Sequence, residues 1–166
     1  MKKSKEIRVA SITSDTVPLV SIEVEGKVCD AFIDTGASPN LVSRSQVENM
    51  NLLKQIKKPS KSIQELILTS ASGNRLNISG SISMELDFGE FTTKLTFIVV
   101  DHLNIPGELL IGYSSLKQIR AILIPGEALI IKNTRIPLTH KSRKWDKKVR
   151  MNTVSDSTEG KQVYSG

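Results

Sequence analysis

Across residues 17–24 apolar positions alternate with polar ones, Val20, Ile22 and Val24 against Ser21 and Glu23. That is the period of a strand buried on one face. Glu25-Gly26-Lys27 supplies a turn, and residues 28–33 read as the returning strand of a hairpin. Beyond Asp34-Thr35-Gly36-Ala37-Ser38 and the turn Pro39-Asn40, Leu41-Val42 predicts a short strand. Ser43 then caps a short helix running through Ser45, Val47 and Met50. Residues 54–61 read as a Lys- and Pro-bearing linker, 63–68 as a strand and 69–75 as a cluster of small turn residues. Two long strands follow, 76–88 and 91–100, with Gly80 marking a bulge in the first. Residues 109–112 have the unbroken apolar run of a buried strand, and 113–120 read as a short helix. Residues 121–124, 128–131 and 135–138 predict closing strands. About ten short strands against one or two short helices predict an all-β fold, a closed or partly closed barrel.

Periodicity disappears outside this region. Residues 1–14 are expected to be a basic flexible arm, 15–138 the folded domain, and 139–166 a basic then polar disordered tail. The chain of 166 residues carries 23 Lys+Arg against 17 Asp+Glu, but residues 9–139 hold 12 basic and 13 acidic residues. The net charge of +6 therefore belongs to the ends. With 39% hydrophobic residues and only 4% aromatic ones, the core must be built from Ile, Leu and Val. No apolar run approaches the roughly 18 residues a membrane helix needs, so no membrane partner is expected. Met1-Lys2-Lys3-Ser4-Lys5-Glu6 lacks the apolar stretch of a signal peptide. A lone cysteine, Cys29, excludes an intrachain disulfide and fits a reducing compartment. It is expected to face the core of the hairpin. His102 and His140 lie far apart with no cysteine pair beside them, so neither a metal nor another cofactor is expected.

Phe32-Ile33-Asp34-Thr35-Gly36-Ala37-Ser38 carries the chemistry. Asp34 ends a buried strand, where a carboxylate is costly unless used or paired. Thr35 offers a hydroxyl, and Gly36 permits a tight turn and close backbone approach to the carboxylate. As a bare tripeptide, Asp-Thr-Gly is equally an Asx turn ending a strand. The longer stretch resembles the active-site loop of the aspartic peptidases. Leu109-Leu110-Ile111-Gly112-Tyr113-Ser114-Ser115-Leu116 resembles a second element, the hydrophobic-hydrophobic-Gly strand and helix of retropepsins, the retroviral and retrotransposon proteases. The resemblance covers roughly residues 15–138 and implies a retropepsin-like closed β-barrel, the acid protease fold.

That resemblance implies roles residue by residue. Asp34 is the catalytic carboxylate. Thr35 exchanges hydrogen bonds with its symmetry mate, Gly36 meets the substrate backbone, and Ala37 and Ser38 line the cleft. Ser72, Gly73 and Asn74 form the flap tip, and Ile111 and Gly112 buttress the catalytic loop. Arg44 or Arg120 could reinforce that loop through a carboxylate. In many relatives the position of Ser114 is Asp or Asn, so a charged buttress is absent, and the flap lacks a double glycine. The terminal strands that knit the family's dimer are not identifiable.

Hydrolysis by this route needs two carboxylates sharing a proton, and the chain holds a single Asp-[Thr/Ser]-Gly. The expectation is a homodimeric endopeptidase with one Asp34 per chain, acting on extended polypeptide. A retroelement Gag-Pol polyprotein in the cytoplasm, within virus-like particles, is the expected setting. The competing reading is a catalytically weak or silent retropepsin-fold dimerisation or adaptor domain of a host protein. The cluster at 140–150, with Trp145 among six Lys and Arg, offers weak nucleic-acid contact. A solvated linker toward a neighbouring domain is the preferred reading of it.

Overall fold

Val24 and Lys27 pair directly across a two-residue loop, Glu25 (φ 50°) and Gly26 (φ 83°), both left-handed. This is the turn whose twist matches that of a β-hairpin. It joins strand β2 (Leu19–Val24) to β3 (Lys27–Asp34) in a computed structural model that describes residues 5–8, 17–70 and 72–139. Strand β1 is Lys5–Arg8. After β3 come β4 (Leu41–Ser43), helix α1 (Arg44–Asn49), a 3₁₀ turn (Leu53–Gln55) and α2 (Lys61–Gln64). Strands β5 (Leu66–Thr69), β6 (Arg75–Leu76), β7 (Ile78–Asp87), β8 (Thr92–Val100) and β9 (Leu109–Gly112) follow. Helix α3 (Tyr113–Gln118) precedes β10 (Ile122–Ile124), β11 (Ala128–Ile131) and β12 (Thr134–Pro137).

Six strands close into a barrel in the order β2-β3-β9-β4-β8-β7, with β7 returning to β2 through Val24 and Leu86. Closure removes the exposed ladder edges that an open sheet leaves. Strand β9 sits between β3 and β4, and all four of its residues are buried, as befits a central strand. Inside the barrel, Val20, Ile22, Ile33, Met84, Phe97 and Ile111 belong to one apolar core, capped by Leu129, Ile131 and Ile136 of the β10-β11-β12 sheet. A second cluster gathers Val17, Leu19, Phe32, Ala37, Leu41, Leu68 and Leu110 on the side of the Asp34 loop. The fold is mostly β, with the closed barrel that the sequence predicts. The ladder of β7 and β8 shifts register between Ile78 and Gly80, at the expected bulge.

Three expectations need correction. Among the described residues the α-helices number three rather than one or two, because Ser60 caps α2 by accepting from the Ile63 N–H, 3.3 Å away. Residues read as linker and strand start are therefore helical, and β5 begins at Leu66. The arm expected at 1–14 contains a strand. β1 pairs in parallel with β5, an arrangement held by backbone groups that leaves no side-chain period to read. Residues 140–166 lie outside the described residues, so the basic cluster and the tail do too. Among the described residues no helix is long and apolar enough to cross a membrane.

Candidate active site

Parallel pairing of β3 with β9 sets Asp34 opposite Gly112 at the carboxyl ends of both strands. Asp34 is 3% exposed. Its Oδ1 accepts the Gly36 N–H at 2.9 Å, and its carbonyl accepts the Ala37 N–H at 3.2 Å. The loop is thus an Asx turn and also a buried carboxylate. Thr35 and Gly36 form its exposed tip, while Ala37 turns back into the second apolar cluster.

What holds this loop is the start of α3. A helix of this kind leaves its first N–H groups without intrahelical acceptors. Here Tyr113 N–H donates to the Ala37 carbonyl at 2.6 Å and Ser114 N–H to the Ser38 carbonyl at 3.2 Å. The hydroxyls of Ser38 and Ser114 meet at 3.1 Å. Gly112, the N-cap, has no side chain to cap with, and the loop's carbonyls take that part. Its φ of −95° suits any residue, so glycine is required by space. A Cβ there would meet the carbonyl oxygens of Pro39, of Ser38 at 2.6 Å and of Ala37 at 2.7 Å. Ile111 beside it is fully buried in the barrel core.

Asn40 was read from the sequence only as a turn residue. It is 5% exposed and ties two strands, β8 and β9, to α3. Its Oδ1 accepts the Gly112 N–H at 2.8 Å, and its Nδ2 donates to Ser115 Oγ at 2.6 Å and to the Thr96 carbonyl at 3.0 Å. Its own carbonyl accepts the Ile98 N–H. A neutral network therefore stands where a charged buttress was sought. Arg44 and Arg120 are both exposed, and among the described residues neither pairs with a carboxylate.

Between β5 and β6, Ser70 is half-buried and residues 72–74 form an exposed tip. Ser70 N–H donates to the Asn74 carbonyl at 2.7 Å, and Gly73 N–H to the Ser70 carbonyl at 2.9 Å, with Gly73 at φ 92°. The hydroxyls of Ser70 and Ser72 lie 2.8 Å apart, and Asn74 Nδ2 donates to Ser72 Oγ at 3.3 Å. Ser72, Gly73 and Asn74 are thus at one tip. Leu68 of β5, the strand leading to that tip, shares the apolar cluster of Phe32 and Ala37. Among the described residues no group of three or more His, Cys, Asp and Glu gathers as metal ligands.

Residues 20–118 match the family described as "gag-polyprotein putative aspartyl protease". The chain belongs to this family. The aspartyl protease match runs from β2 to α3 and so contains the Asp34 loop, the 70–74 tip and Gly112. No curated protein matches the sequence. Among solved structures, the retroviral protease-like domain of Ddi1 from Leishmania major superposes with a TM-score of 0.62 at 19% identity, covering 75% of this chain and 94% of that one. The EIAV protease, solved with the inhibitor HBY-793, gives 0.50 at 14% identity, covering 69% and 98%. At such identities these likenesses speak for the fold.

Proposed function

We propose that this aspartyl protease family member is an active endopeptidase that works as a homodimer, with one Asp34 from each copy forming the catalytic dyad. The observation that carries the reading is the buried Asp34, fixed at a strand end by a loop with an exposed Thr35-Gly36 tip, in a chain with one Asp-Thr-Gly. Two such tips meeting on a two-fold axis would bring the carboxylates together. Like charges at close range keep one of the pair protonated. The ionised carboxylate takes a proton from water as it attacks the scissile carbonyl, and the protonated one donates to the developing oxyanion. The Gly36 N–H on Oδ1 favours the ionised form of that oxygen.

The substrate in this proposal is an extended polypeptide between the 70–74 tip and the loop floor of Gly36, Ala37 and Ser38. The setting is maturation of a retroelement Gag-Pol polyprotein in the cytoplasm, within virus-like particles. A second reading, a host-protein domain retaining the fold, draws support from the likeness to the Ddi1 domain. Asp34→Asn is expected to abolish peptide cleavage while leaving the circular dichroism and melting profile close to those of the parent. Activity of the parent should rise with dimer fraction measured by sedimentation. Full cleavage by Asp34→Asn, or a strict monomer that still cleaves, would sink the dyad.

A further inference from the structure

Strand β5 has two edges. One pairs with β6 through Leu68↔Leu76 and Thr69↔Arg75. The other takes β1 in parallel over its full length, Lys5↔Leu66, Glu6↔Ile67, Ile7↔Leu68 and Arg8↔Thr69. The β5 edge that β1 takes leads directly into the 70–74 tip. Leu68 also joins it to the cluster containing Phe32 and Ala37, which flank Asp34 in sequence. An extended peptide that bound against this tip would use the same backbone edge, since strand addition draws its affinity from main-chain hydrogen bonds.

Direction agrees with this. If β5 lies across the axis of a two-fold dimer, the two β5 strands run oppositely. One extended peptide crossing the axis is then parallel to one of them and antiparallel to the other. The parallel pairing of β1 matches one of these halves. The attachment is local as well, because Val17, nine residues after Arg8 in sequence, packs in the same cluster as Leu68. A tethered strand competes at a high effective concentration.

We propose that the amino-terminal strand Lys5–Arg8 is an intramolecular competitor of peptide, occupying the β5 edge and releasing it for an extended polypeptide. The inference rests on the endopeptidase reading for the identity of the competitor's rival, an extended peptide backbone. Occupancy scales apparent affinity directly: a strand docked about nine-tenths of the time raises the apparent dissociation constant about tenfold.

The test uses the full chain and a Glu6→Pro/Ile7→Pro double variant. Consecutive residues of a strand point their backbone N–H groups to opposite sides, so one proline removes a bond to β5 whichever residue makes it. In the Asp34→Asn background, anisotropy of a fluorescein-labelled peptide copying residues 3–10 should show roughly tenfold tighter binding to the proline variant. Hydrogen exchange of residues 66–69 should quicken without peptide and slow again when it is added. With Asp34 present, KM for a cleaved peptide should fall by a similar factor at constant kcat. Equal peptide affinity in both proteins, or unchanged exchange at 66–69, overturns the proposal. Tighter binding and altered exchange without any cleavage by either protein would uphold strand competition and refute the endopeptidase reading.

Discussion

The carboxamide oxygen of Asn40 accepts the backbone N–H of Gly112 at 2.8 Å, across 72 residues of sequence. This bond ties the outgoing arm of the catalytic loop to the strand that pairs with Asp34. The carboxamide nitrogen continues the tie to Ser115 and Thr96. Asn40→Ala would strand a buried N–H and leave Ser115 and the Thr96 carbonyl without this donor. Each buried group deprived of its partner costs on the order of 1–3 kcal/mol. A loss of about 2–4 kcal/mol in urea denaturation is expected, with kcat falling more than KM rises because the loop loses its setting. Asn40→Asp keeps the acceptor for Gly112 and should recover part of both. A variant as stable and active as the parent would show that the loop is held by the α3 backbone bonds alone.

Gly112→Ala tests close packing rather than backbone strain. Its φ of −95° accommodates alanine, so no conformational penalty enters. The new methyl would lie against three carbonyl oxygens of the loop, none at the end of a flexible side chain. Overpacking of this kind costs typically about 1–3 kcal/mol, and the relief available is to push residues 37–39 outward. The expectation is a lower melting temperature together with loss of peptide cleavage. Unimpaired cleavage would mean that the loop tolerates displacement.

The sequence reading and the structure agree where burial writes a period. Alternation in β2, the unbroken apolar run of β9 and the bulge at Gly80 were all legible because side chains there answer to a core. They diverge where the determinant is backbone or long-range. Strand β1 pairs through main-chain groups, and its four residues show no alternation. Asn40 follows Pro39 and is a common turn residue, so its sequence context gives no sign that it becomes buried between β8, β9 and α3. Ser114 reads as a missing charge, yet its hydroxyl and N–H both engage Ser38. Gly112, by contrast, could be singled out early, because a glycine ending an apolar run before a helix is a recognisable pattern.

Tyr113 is 51% exposed, one of three large apolar residues so placed among the described residues, with Val28 and Ile122. Its N–H donates to the Ala37 carbonyl, which sets it beside the exposed Thr35-Gly36 tip. If two tips meet on an axis, the phenol is covered there. Aromatic residues buried at interface centres commonly contribute about 2 kcal/mol or more. Tyr113→Asp should therefore weaken self-association at least tenfold in sedimentation velocity. Val28→Asp, near the opposite end of β3 from Asp34, is the control and should leave association unchanged. Equal dimer constants for Tyr113→Asp and the parent would remove this face from the interface.

Cys29 is buried on β3, and its thiol pKa is pushed from 9.0 up to about 11. Burial is the main cause, followed by the nearby carboxylates of Glu108 and Asp30. Glu108 is fixed there by the Asp30 N–H, which donates to its Oε1 at 2.7 Å. A group whose protonated form is favoured by the fold stabilises most below its unfolded pKa. Between about pH 9 and 11 the unfolded chain loses this proton while the folded one keeps it. Stability should fall there by about 1.4 kcal/mol per pH unit from this group. Cys29→Ala removes the group, so its urea-unfolding free energy should decline less steeply over that range, whatever the substitution costs at neutral pH. The readout is the difference in slope between the two proteins. Parallel slopes for parent and variant from pH 8.5 to 10.5 would mean the thiol ionises as readily folded as unfolded.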